Sequence, residues 1–93
     1  MDVETPNSFN LGQNFPNPFN SQTKINFNIT MRTNYTLEIY DVRGNKVKEI
    51  FNKSLDPGKY NFIYNAETLS FGVYFYKLTG VNITETRRMI LIK

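Results

Sequence analysis

A chain of 93 residues holds one small domain that can bury roughly 60–65% of its unfolded surface, and leaves no room for a second. It has no Cys and no His, so disulfide staples, thiolate or imidazole metal ligands and the usual general base are all excluded. The formal charge of +3 comes from 11 Lys and Arg against 8 acids spread along the chain, which fits a solvated surface rather than a nucleic-acid groove, and no apolar stretch approaches the roughly 20 residues needed to span a bilayer.

Residues 1–10 read as a linker from an upstream domain, because the opening is polar, carries Pro6 and shows no periodicity. Such an opening predicts a segment cut from the end of a longer protein. The folded module is expected over 11–93. Its first piece, Leu11 to Asn20, contains Phe15-Pro16-Asn17-Pro18-Phe19, where each Pro fixes its own φ and biases the residue before it toward extended conformations. A stiff polyproline-like arm is predicted, pinned by Leu11, Phe15 and Phe19. Without N–H groups at Pro16 and Pro18 it must run along an edge or across an end of the domain.

From Lys24 the alternation is clean, with Ile25, Phe27 and Ile29 on one side and Lys24, Asn26 and Asn28 on the other, as in a half-buried strand. Tyr35, Leu37 and Ile39 alternate in the same way. The turn residues Asp41 to Asn45 then return the chain into Val47 to Phe51 as a hairpin. Val47 and Ile50 are three apart, so a bulge is needed for both to face the core. Asp56-Pro57-Gly58 reads as a turn with Gly58 at positive φ, and Tyr60, Phe62 and Tyr64 form the next inward row. Asn65 to Phe71 receives no regular structure.

Gly72 to Leu78 and Thr84 to Lys93, joined by a turn at Thr79 to Asn82, predict a closing hairpin whose last strand runs to the end of the sequence. Tyr74 or Tyr76 is placed to donate its hydroxyl to backbone near Thr68 to Ser70, as in a tyrosine corner. About seven short strands without significant helix predict an all-β, immunoglobulin-like antiparallel sandwich. Met89 and Leu91 then face the core, while Ile90 and Ile92 look outward beside Val73 and Phe75.

Six motifs stand in a familiar order: Gln13 to Asn20, Thr23 to Phe27, Leu37 to Asp41 with Gly44 and Val47, Pro57-Gly58, Ser70 to Tyr76, and Arg88 to Lys93. Together they resemble the type A C-terminal sorting domain of cargo exported by the Bacteroidetes type IX secretion system, over residues 11–93. The resemblance implies a non-catalytic module, without cofactor or metal, linked to an N-terminal cargo domain. It implies passage through the periplasm, reading by the type IX machinery at the outer membrane, and removal by a sortase-like peptidase before surface attachment or release. Carried over residue by residue, the shared features are Pro16, Asn17, Pro18 and Phe19; Gly72, Val73 and Tyr74; and Met89, Ile90, Leu91, Ile92 and Lys93. The chain departs from relatives at Ser21, at Thr30-Met31 and at Tyr64-Asn65, which bears on loop structure and not on the strand pattern.

Against each functional reading stands a plainer one. The arm from Pro16 to Phe19 caps the sandwich, Gly72 serves a tight strand entry, and Tyr74 and Tyr76 are core aromatics. The eight carboxylates fall in turns or on outward positions and form no pair facing a cleft, so catalysis is not expected. Asp41 near Asn45 stabilises a turn, since a Ca²⁺ site needs six to eight oxygens. The alternative from another class is a carbohydrate-binding or adhesion module. Eight Phe and six Tyr invite it, but only Tyr40, Phe51 and Phe75 are expected to point outward.

Overall fold

Two antiparallel sheets account for the strand pattern. The computed structural model describes residues 8–92, which form seven strands. β1 (Asn10–Leu11), β2 (Gln22–Ile29) and β5 (Gly58–Asn65) make a three-stranded sheet in the order β1-β2-β5. β3 (Thr33–Tyr40), β4 (Lys46–Leu55), β6 (Gly72–Gly80) and β7 (Ile83–Leu91) make a four-stranded sheet in the order β4-β3-β6-β7. This is the expected all-β, immunoglobulin-like sandwich, with the fourth strand beside the third in the larger sheet rather than beside the fifth.

Period-two burial builds the core as the alternation requires. Ile25, Phe27 and Ile29 from β2 meet Tyr35, Leu37 and Ile39 from β3, Tyr74, Tyr76 and Leu78 from β6, and Met89 and Leu91 from β7, all buried. From β5, Tyr64 is buried while Tyr60 and Phe62 pack against the core half-exposed. Burying such side chains stabilises by about 1.5–3 kcal/mol each, before chain entropy is counted. The tyrosine corner is present: Tyr74 donates its hydroxyl to the Ser70 carbonyl at 2.7 Å. Asn65 to Phe71 is irregular as expected, closed by the Leu69 N–H on the Ala66 carbonyl at 3.0 Å.

Several local expectations are corrected. The β3–β4 ladder shifts register between Leu37 and Glu38 and again between Ile39 and Tyr40, so bulges do occur at Ile50 and Val47. Only Ile50 turns toward the core, and Val47 stays exposed at its unpaired bulge position near the start of an edge strand. The same shift puts Phe51 opposite inward Leu37, so its ring packs inward between Phe27 and Phe62 instead of pointing out. Among described glycines, positive φ occurs at Gly44 and Gly72 and not at Gly58. The Asp56-Pro57 corner is a crossing from the larger sheet to the smaller, which does not require a left-handed residue.

Asp41 acts as the turn residue. Its Oδ1 accepts the N–H groups of Arg43 and Asn45 at 2.9 and 3.0 Å. Those bonds, that of Asn45 foremost, hold its carboxyl below the usual range. One packing requirement could not be read from pattern. Gly80 lies under the Tyr35 ring, where a Cβ would collide with it, and the Tyr35 hydroxyl donates to the Met31 carbonyl at 2.7 Å.

Candidate functional site

β7 is the last strand of the larger sheet, and its outer edge would expose unpaired N–H and C=O groups. Residues 11–19 cover it. The arm begins in the smaller sheet, where Leu11 lies opposite Phe27 and the Gly12 N–H bonds the Asn26 carbonyl at 2.8 Å. A side chain on Gly12 would stand 3.0 Å from that carbonyl, so the close approach favours glycine. Phe15 then exchanges backbone bonds with Lys24 at 2.8 and 2.9 Å.

Beyond Phe15 the chain changes sheets. The Phe15-Pro16 and Asn17-Pro18 bonds are both cis. The run crosses between the sheets, with Phe15 bridged to Lys24 and Phe19 to Leu91, rather than following one edge as a polyproline-like arm. It places Phe19 beside the end of β7 in a parallel bridge with Leu91. The Phe19 N–H donates to the Ile90 carbonyl at 3.0 Å, and the Ile92 N–H donates to the Phe19 carbonyl at 2.7 Å. Side chains complete the seam. Asn17 Oδ1 accepts the Ile90 N–H at 2.9 Å, and Gln13 Nε2 donates to the Arg88 carbonyl at 2.7 Å. Glu85 Oε1 accepts the Leu11 N–H at 2.7 Å, and Arg87 Nε donates to the Leu11 carbonyl at 2.9 Å.

A buried polar knot holds the arm in this path. Tyr76 donates its hydroxyl to the Gly12 carbonyl and accepts the Asn14 N–H, both at 2.7 Å. Burial pushes the phenol up to about 12 against the smaller opposing effects of Asn14 and Arg87. Asn14 Nδ2 donates to Thr23 Oγ1 at 2.9 Å and to the Pro16 carbonyl at 3.1 Å, and Thr23 donates to the same carbonyl at 2.8 Å. Asn14 and Thr23 are the buried polar side chains of the described residues, and their mutual bonds offset the cost of desolvation.

The residues singled out from sequence divide into two groups. Phe19, Tyr74, Met89 and Leu91 are core, while Pro16, Asn17, Pro18 and Ile92 are exposed on the seam. Val73 and Ile90 are half-buried partners on the outer face of the larger sheet, and Gly72, at φ 150°, enters β6 opposite Leu91. Lys93 lies outside the described residues. Phe15 does not pin the arm, since its ring is 78% exposed and its backbone alone is held. Gln13, Asn14, Thr23, Tyr76, Glu85 and Arg87 are not among the candidate site residues that the sequence singles out, because polar seam partners have no periodicity to reveal them.

The outer face of β6 and β7 carries the pairs Val73–Ile90, Phe75–Arg88 and Lys77–Thr86. The apolar strip therefore runs into a basic one. Lys77 Nζ sits 4.7 Å from the centre of the Tyr40 ring, at a shallow depression of about 320 Å³. Among the described residues no three His, Cys, Asp or Glu side chains gather where they could hold a metal ion, and no helix is long and apolar enough to cross a membrane.

These features define a β-sandwich module whose first segment is stapled across its last strand. Residues 13–93 match the family model described as the secretion system C-terminal sorting domain, and the chain belongs to that family. It is a C-terminal secretion signal of type IX secretion, which implies interaction with the secretion machinery and export across the outer membrane to the cell surface or beyond. No curated protein matches the chain.

Proposed function

We propose that the part of this sorting domain read by the machinery is the seam itself: exposed Pro16, Asn17 and Pro18 together with Ile90 and Ile92, presented on a base of Phe19, Gly72, Val73, Tyr74, Met89 and Leu91. The observation that carries the proposal is the direct bonding of the Pro16–Phe19 run to Ile90 and Ile92, which joins two distant motifs into one surface. A signal built this way exists only in the folded module, so the machinery can distinguish folded cargo tails from unfolded ones. Lys93, outside the described residues, stays a candidate through its place in the terminal motif alone.

In this reading the module has no catalytic role of its own. It rides at the end of a cargo domain joined through the linker that precedes β1, and a sortase-like peptidase removes it after transfer, leaving the cargo attached to the surface or released. The test is a reporter fused between a signal peptide and this chain in a bacterium with a working type IX system. Delivery of the reporter to the surface is expected, and Asn17→Ala with Ile92→Ser should abolish it while the purified module keeps its fold. Undiminished delivery of that double variant refutes the seam as the signal.

A further inference from the structure

The sandwich is sealed on one side only. The arm closes the β1/β7 side, whereas on the opposite side β4 and β5 are both sheet-edge strands, with backbone edges that no other strand of the described residues covers. Between them lies a cleft of about 280 Å³. Phe27, Ile50, Phe51, Leu55, Tyr60 and Phe62 line it, and Phe27 and Tyr60 stack at 5.3 Å to form an aromatic floor. That size is at or below the bottom of the range for small-molecule sites, about 300–1,000 Å³, and suits a few side chains of a peptide.

Charge decides which peptide. Lys53 and Lys48 stand opposite inward-facing Tyr35 and Ile39, so both project from the core side of β4 beside the cleft, and Lys53 is part of its lining. Neither makes an ion pair among the described residues. Inward charges of this kind protect an edge from apolar strands. Lys46 of β4 is offset by Glu38 and Glu49, so the charges that two copies meeting at this edge bring together are those of Lys48 and Lys53, which repel.

We infer that the β4/β5 cleft is a docking site for an extended acidic peptide that presents apolar and carboxylate side chains on the same face. Such a strand adds beside β5 as the fourth strand of the smaller sheet; its inward row, every second residue, seats apolar side chains on Phe27, Phe51 and Phe62 and brings carboxylates to Lys53 and Lys48, while the outward row meets solvent. This surface lies across the molecule from the seam and does not depend on the seam being the secretion signal.

The experiment uses the ¹⁵N-labelled 93-residue chain and a capped synthetic peptide of about ten residues, long enough to line a strand such as β5, in which Phe and Ile share every second position with Asp and Glu and the positions between are Ser and Thr. A second peptide carries Lys at every acidic position. Amide shifts confined to β4, β5 and Phe27, with the acidic peptide bound at least about tenfold more tightly than the basic one, are expected. Lys53→Glu should reverse that preference at an unchanged thermal midpoint, whereas Arg88→Glu on the far side should leave it within about twofold. Equal affinity for both peptides, shifts centred elsewhere, or no shift with either peptide overturns the inference. Concentration-dependent shifts without peptide also overturn it, and assign the cleft to a second copy.

Discussion

Asn17 accepts the Ile90 N–H through its side-chain carbonyl at 2.9 Å, so a residue of the proline run stands in for the neighbouring strand that β7 lacks. Replacing Asn17 with Ala leaves that N–H to water, because the site is exposed. The expected loss is small, about 0.5–1.5 kcal/mol. The readout is local: amide hydrogen exchange at Ile90 accelerates while the amides of β6 keep their protection. Unchanged exchange at Ile90 would show that the bond is not maintained in solution.

Two phenylalanines of one motif should behave oppositely. Phe19 is 2% exposed and closes the core beside Leu91, so Phe19→Ala should cost about 3–5 kcal/mol. Phe15 is 78% exposed, and Phe15→Ala should stay within about 0.5 kcal/mol of the parent. Urea denaturation of both variants decides the matter. Comparable losses would mean that the arm is seated differently.

Tyr76→Phe removes one hydroxyl and strands two backbone groups, the Gly12 carbonyl and the Asn14 N–H, in a buried setting. About 1–3 kcal/mol should be lost. The pH dependence follows from the raised phenol. Its folded value, about 12, lies above the unfolded one near 10, so the neutral form is favoured by folding. That contribution is complete below about pH 10 and disappears as pH rises through about 12. The stability gap between parent and Tyr76→Phe should therefore narrow over that window. A gap constant to pH 12 would remove Tyr76 from the linkage.

The strands and the shared core were legible because a half-buried strand declares itself by period two: Ile25, Phe27, Leu37, Ile39, Leu78, Met89 and Leu91 are all buried where alternation puts them. Phe51 departs from the expected outward position because a register shift breaks that period, and Val47 stays exposed although the expected bulge is present, because the bulge leaves it unpaired near the start of an edge strand. The seam was half legible. Pro16 and Pro18 announced an arm unable to pair as a central strand, but its crossing between the sheets and its destination beside Leu91 are tertiary facts. Tyr76 is the core aromatic that alternation predicts, while its hydroxyl bonds Gly12, which is 64 residues away, instead of the nearby loop.

The last prediction separates surface from core at the terminal strand. Met89 and Leu91 are buried, while Ile90 is half-buried opposite Val73 and Ile92 is 49% exposed. Ile90 bonds Asn17 and Phe19 through its backbone, which a serine retains, so the double variant Ile90→Ser with Ile92→Ser leaves the seam's hydrogen bonds intact. What it removes is an apolar strip beside Val73. Stability should fall by about 1 kcal/mol, which lowers the thermal midpoint by about 4–8 °C in a domain of this size. Surface delivery of a fused reporter should fall far more steeply, because an exposed apolar strip is the type of surface a partner covers. Measuring both on the same variant keeps the outcomes distinct. A midpoint loss comparable to that of Phe19→Ala would place the strip in the core, and normal delivery at near-parent stability would make it inert surface.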